Sequence, residues 1–174
     1  MTQPPQLPPL QIADRAFGTR LRRLLEGLNR GVGEAYRAAE LDFEPRWFGL
    51  FTLVRDHPGV EVGEAAAVLG QSHPAVVQVV NSLVSRGYLD RRPSPTDRRR
   101  TGLWLTPAGL ALNHRLTPVW TAVFQATDAL LAEVAPDFLD QLQALEAALD
   151  ARPMQARIQS LIPDSALSQP RDPS

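Results

Sequence analysis

Residues 70–86 read GQSHPAVVQVVNSLVSR. Gly70 stops whatever precedes it. Ser72 then offers a side-chain oxygen to the free N–H groups of a helix start, and Pro74 is tolerated in a first turn. Wound at about 100° per residue, the stretch divides into two faces. Val76, Val79, Val80 and Leu83 fall on one, and Pro74, Gln78, Asn81 and Ser85 on the other. The apolar face needs a neighbour. The segment Val62–Leu69, a short helix by its pattern, supplies one through Ala65, Ala66 and Leu69. Gly87 suits the left-handed position that closes the second helix. Two short helices in tandem, the second with a bare polar face, are the pattern of a helix-turn-helix.

Working outward, the period changes after Gly87. YLDRR (88–92) and GLWLT (102–106) read as two short strands, with Leu103 and Leu105 alternating about Trp104. The intervening PSPTDRRRT (93–101) is too polar for a core element, so the pair makes a hairpin wing. Upstream, Phe17, Leu21, Leu24, Leu28 and Val32 recur at steps of three and four and predict a helix over about 13–40. Glu44–Asp56 predicts another, ended by HPG (57–59). Downstream, Thr106 can cap a fifth helix beginning at Pro107 and running to about Val134. A sixth spans Phe138–Leu149, where Phe138, Leu142, Leu145 and Leu149 step by four, three and four, as in a coiled-coil seam. A short amphipathic piece follows at 154–161.

The predicted fold class is mainly α with a small β-hairpin wing, a winged helix-turn-helix with long N- and C-terminal dimerisation helices. Its core lies at about 44–106 within a domain at 12–162, with the dimerisation helices at about 13–40 and 107–150. Residues 1–11 and 163–174, rich in Pro, Gln and Ser, read as disordered tails.

Composition narrows the function classes. The chain has 174 residues, 44% hydrophobic and 21% charged, enough apolar material for a packed core. It has no Cys, which removes disulfides, thiolate metal sites and cysteine redox sensing. His57, His73 and His114 share no helical spacing, so no metal site and no cofactor is expected. No apolar run approaches a membrane span, and the start MTQPPQLPPLQ lacks the basic and apolar regions of a signal peptide. A cytoplasmic location without membrane contact is the default expectation. There are no paired carboxylates, no Gly-rich phosphate loop and no nucleophile beside a base, so the chain does not read as an enzyme.

The formal charge of −1 argues against a uniformly basic coat. Its distribution is more telling. Residues 86–100 hold six Arg against two Asp, whereas 121–174 hold three Arg against eight acidic residues. Every cation of the chain is Arg.

Residues 70–85 carry no formal charge, so the fourth helix would meet DNA through its N-terminus and its neutral side chains. A helix N-terminus suits a phosphate, which places Ser72, His73 and Pro74 at the backbone. Gln78 and Asn81 are of the type that makes bidentate bonds to adenine, and Ala75 and Val77 offer methyl contact to thymine. The attraction would come from the wing: Arg91 and Arg92 on its first strand, then Asp97, Arg98, Arg99 and Arg100 at its tip.

The stretch VGEAAAVLGQSHPAVVQVVNSLVSRGYLDRRPSPTDRRRTGLWLTPAG (62–109) resembles the MarR transcriptional regulators. The family pattern is an Asp-x-Arg wing and a Leu-Thr-x-x-Gly exit, here Asp97, Arg99, Leu105, Thr106 and Gly109. With flanking helices the resemblance covers roughly Arg15–Leu149. It implies a dimer built from the first, fifth and sixth helices, with Arg99 in the minor groove and Asp97 as its support. Members commonly carry Ser or Thr, then Arg, where this chain has Val77 and Gln78. HPAVVQ (73–78) and LTPVW (116–120) look most like the regulator half of proteins fused to a GNAT-type acetyltransferase. Neither that domain nor acetyltransferase activity is expected in this chain.

The expected partners are therefore double-stranded DNA with a pseudo-palindromic operator and a second copy of the chain, in a regulator of the repressor type. The expected dimer interface is Phe17, Leu21, Leu24, Leu28, Leu130, Phe138, Leu142, Leu145 and Leu149. For a small-molecule effector the candidates are Tyr36, Trp47, His57, His114 and Trp120; the alternative is that these aromatics are core and the histidines surface residues. The rival function is a winged helix that binds a protein rather than specific DNA.

Overall fold

The first turn of the fourth helix forms as its sequence requires. Ser72 Oγ accepts from the Ala75 N–H at 3.4 Å, and His73 and Pro74 open the helix. The computed structural model describes residues 16–93 and 101–163. The element order is α1 (Phe17–Ala38), a 3-10 turn (Pro45–Trp47), α2 (Phe48–Asp56), α3 (Val62–Val68), α4 (His73–Ser85), β1 (Leu89–Pro93), β2 (Thr101–Leu105), α5 (Pro107–Val134), α6 (Phe138–Ala151) and α7 (Met154–Gln159). The chain divides into two compact units between Val123 and Phe124. No helix among the described residues is long and apolar enough to cross a membrane.

Three helices of the first unit end in the same hydrogen-bonded closure. After α3, Gly70 N–H donates to Ala67 O and Gln71 N–H to Ala66 O; after α4, Gly87 donates to Val84 O and Tyr88 to Leu83 O. Both glycines have positive φ, as this closure demands. The closure of α1 is built the same way, Glu40 to Arg37 O and Leu41 to Tyr36 O, but Glu40 takes the left-handed position at φ 53°.

The second helix departs from expectation. Its pattern predicts a continuous helix from Glu44, but the start is a 3-10 turn opened by Pro45, with Trp47 N–H donating to Glu44 O at 2.9 Å. Glu44 is held in extended backbone, as a residue preceding proline should be.

The core of the first unit is centred on Phe43, in the irregular segment between α1 and the 3-10 turn. Tyr36, Trp47, Phe51 and Trp120 all meet its ring edge-to-face, with centroids 5.3–5.9 Å away. Such pairs contribute about 0.5–1.5 kcal/mol each beyond area burial. Trp120 Nε1 donates to Tyr36 Oη at 2.9 Å, which joins α5 to α1 inside the same cluster. The four apolar residues of α4, Val76, Val79, Val80 and Leu83, are buried.

The wing is antiparallel, with Leu89 opposite Leu105, Arg91 opposite Leu103 and Pro93 opposite Thr101. The loop between α2 and α3 pairs with its other edge: Gly59 N–H donates to Leu103 O and Leu103 N–H to Val60 O. A side chain at Gly102 would collide with the Gly59 carbonyl, so this close approach requires glycine.

In the second unit, α6 ends in a turn laced by two arginines. Arg157 donates to Ala148 O and Arg152 O, and Arg152 to Ser160 Oγ.

Candidate nucleic-acid interface

The polar face of α4 stands free. Ser72, His73, Pro74, Ala75, Gln78, Asn81 and Ser85 are exposed, whereas Val77 is half-buried. Among the described residues the Gln78 amide has no hydrogen-bond partner, so both of its ends can address a base edge. Asn81 is different: its Oδ1 accepts from Arg91 Nη2 on β1 at 2.6 Å. In the sequence these two residues are only separate polar groups, ten positions apart.

The far end of α4 is fixed by Arg86. Its Nε meets the Asp42 carboxylate at 3.0 Å, Nη2 lies 3.8 Å from Glu44, and the guanidinium covers the Trp47 ring at 4.5 Å. Burial pushes the Tyr88 phenol pKa up, with the Asp42 carboxylate adding to the rise. Arg86 therefore ties the helix to the segment carrying Phe43. Reading the basic run from Arg86 to Arg100 as one patch misses this division of duties.

Thr106 fastens the exit of the wing to the same helix end. Its Oγ1 donates to Gly87 O at 2.6 Å and accepts from Gly109 N–H at 3.0 Å, so one hydroxyl closes α4 and caps α5. Gly109 has no space for a side chain, because the Tyr88 carbonyl lies where its Cβ would sit.

On the hairpin, Arg92 pairs with Asp90 at 2.9 Å and lies 6.0 Å from the Trp104 ring centroid. Asp97, Arg98, Arg99 and Arg100 lie outside the described residues.

The remaining sequence candidates fall into two groups. Phe17, Leu21, Leu24 and Leu28 are exposed along α1; on α5 and α6, Leu130, Leu145 and Leu149 are exposed and Phe138 and Leu142 half-buried. Of the effector candidates, Tyr36, Trp47 and Trp120 are at most 5% exposed and pack in the Phe43 cluster, while His57 and His114 are exposed. The three rings pack in the core and the two histidines lie at the surface, the alternative that the sequence leaves open beside a cleft lining.

Residues 41–100 match the MarR family model. This stretch is a MarR-family segment. This MarR segment contains α2 to α4 and β1. A protein named as a transcriptional regulator for the hcr operon of Thauera aromatica is 35% identical over 72 residues, 41% of this chain and 43% of its own length. The transcriptional repressor MprA of Escherichia coli K12 is 25% identical over 112 residues, 59% of this chain and 64% of its own. The chain thus spans less than two thirds of these relatives. Among solved structures, the repressor CouR bound to a 23-mer DNA duplex superposes with a TM-score of 0.61 at 25% identity, covering 82% of this chain and 99% of that one. The MarR-type fold therefore extends beyond the matched segment.

Proposed function

We propose that the chain is a dimeric, sequence-specific DNA-binding transcriptional regulator of the repressor type. The observation that carries this is α4: a helix with a buried valine face, a fully exposed polar face and a capped, exposed N-terminus, beside a hairpin whose tip sequence is TDRRR. Its N-terminus meets a phosphate and Gln78 reads the major groove. Arg98, Arg99 and Arg100 supply the charge, with Arg99 in the minor groove and Asp97 as its support. CouR and MprA are both named as repressors, and this together with the DNA duplex in the CouR structure supports the same reading.

Two recognition helices require two copies. The exposed apolar residues of α1, α5 and α6 are the surfaces a second copy would cover. Half-sites then lie one helical turn apart, about 34–36 Å, on a pseudo-palindromic operator. A small molecule that favours one spacing of the two lobes releases the DNA, provided its affinity for the two spacings differs.

Gel shift on the DNA upstream of the chain's own coding sequence, with excess competitor and at two salt concentrations, tests the proposal. A shift that survives competitor and weakens with salt is expected. No shift, or one abolished equally by any competitor, favours a winged helix that docks on an acidic protein instead.

A further inference from the structure

Helix α4 carries no cation of its own. Two neighbouring arginines do not supply one, because carboxylates neutralise them: Arg86 faces Asp42 and Glu44, and Arg92 faces Asp90. Arg91 is held differently. Among the described residues its partner is the neutral amide of Asn81, at 2.6 Å. A neutral acceptor fixes a guanidinium without cancelling its charge, and a guanidinium keeps that charge at any physiological pH.

Resting on the DNA-binding reading above, we propose that Asn81 is a positioning residue that holds the Arg91 guanidinium against the outer face of α4, where it binds a DNA backbone phosphate. The chemistry fixes the orientation of the amide. Guanidinium and NH2 groups are both donors, so the carbonyl oxygen of Asn81 must face Arg91. A bidentate bond to adenine uses that same oxygen together with the NH2 group. Reading a base would make Asn81 share that oxygen between Arg91 and the adenine amino group, loosening its hold on the only cation this face of the helix has among the described residues. Arg91 spends one of its five N–H donors on Asn81. The others remain for phosphate oxygens, which take planar bidentate pairs well. Base selection then falls to Gln78, whose amide is uncommitted. Asn81 and Arg91 form one backbone-gripping unit that bridges the helix and the wing.

Two measurements on the full chain test this. The first needs no DNA. Rotation of the Arg91 guanidinium, followed by nitrogen-resolved NMR of the side chain, should be slowed in the wild type and freed by Asn81→Ala. The second uses duplexes selected by the wild type from a random-sequence library. Asn81→Ala and Arg91→Ala should each weaken binding roughly tenfold, equally on selected and on random duplex. Each should flatten the dependence of log K on log salt by about 0.9 for every phosphate that is no longer neutralised. The double variant should bind no worse than Arg91→Ala alone, since the two residues act together. The bases selected by Asn81→Ala should match those of the wild type. The proposal is overturned if Asn81→Ala selects a different base at any operator position, if the two losses multiply, or if Arg91 rotates as freely in the wild type as in the variant. A wild-type chain that binds no duplex sinks the DNA-binding reading itself, and with it the role given to Arg91.

Discussion

The Arg86 guanidinium, at the C-terminal end of α4, lies 4.5 Å from the centroid of the Trp47 ring. Trp47 is fully buried and touches Phe43, so this contact links the end of α4 to the centre of the core. Arg86→Ala removes the stack and the pairing with Asp42 together. About 1 kcal/mol of stability should be lost, most of it from the stack, because the ion pairs are partly exposed. Arg86→Lys should recover little of it, since an ammonium does not stack as a guanidinium does. Urea unfolding of the three proteins makes the comparison; full recovery by Lys would show that charge alone matters.

Glu40 occupies a position that suits glycine. It closes α1 at φ 53°, and its carbonyl accepts from Arg115 at 3.0 Å, a bond that needs no side chain at position 40. Glu40→Gly should therefore stabilise the protein, by about 1 kcal/mol, whereas glycine inside a helix does the reverse. Thermal melting checks the sign. A lower melting temperature would mean that the Glu40 side chain contributes more than its backbone strain costs.

Gly109 has the opposite constraint. Any side chain there meets the Tyr88 carbonyl and pushes α5 from the end of α4. Gly109→Ala should cost about 2 kcal/mol, in the range of overpacked sites. Gly63, on α3 with open space around it, provides the control, and Ala there should be neutral or slightly stabilising.

Burial raises the Tyr36 phenol pKa, while the hydrogen bond from Trp120 pulls it the other way. The folded chain then keeps a proton that the unfolded chain releases above about pH 10. This contribution to stability is complete below that value and is lost as pH rises towards the folded pKa. Tyr36→Phe should lower stability at neutral pH, because Trp120 Nε1 loses its acceptor, and should flatten the fall above pH 10. Unfolding free energies at pH 8, 10 and 11 measure both effects. An unchanged alkaline slope in the variant would assign that slope to Tyr88, whose pKa burial also raises.

The parts of the fold that repeat along the chain are legible in its sequence. The valine face of α4, the cap at Ser72, the glycines at 70 and 87 and the strand at 101–105 each follow from a local period or a local backbone need. Phe43 is not legible, because it sits in an irregular segment where no period marks it as core. The bond between Asn81 and Arg91 is equally hidden, since it depends on how β1 lies against α4. Tyr36, Trp47 and Trp120 leave two readings open for a related reason. An aromatic ring reads the same in a cleft and in a core, and only the packing around Phe43 decides between them.

A helix proposed to choose the bases without a charge of its own needs a grip supplied from elsewhere, and that grip can be measured by salt titration. Wild type and the variant with Arg98, Arg99 and Arg100 all changed to Ala would be titrated against the selected duplex from about 50 to 200 mM salt. Wild-type log K should fall linearly with log salt, and the variant should bind more weakly with a visibly shallower slope while still preferring the selected duplex over random DNA. A variant with wild-type affinity and slope would contradict the division of roles between helix and wing.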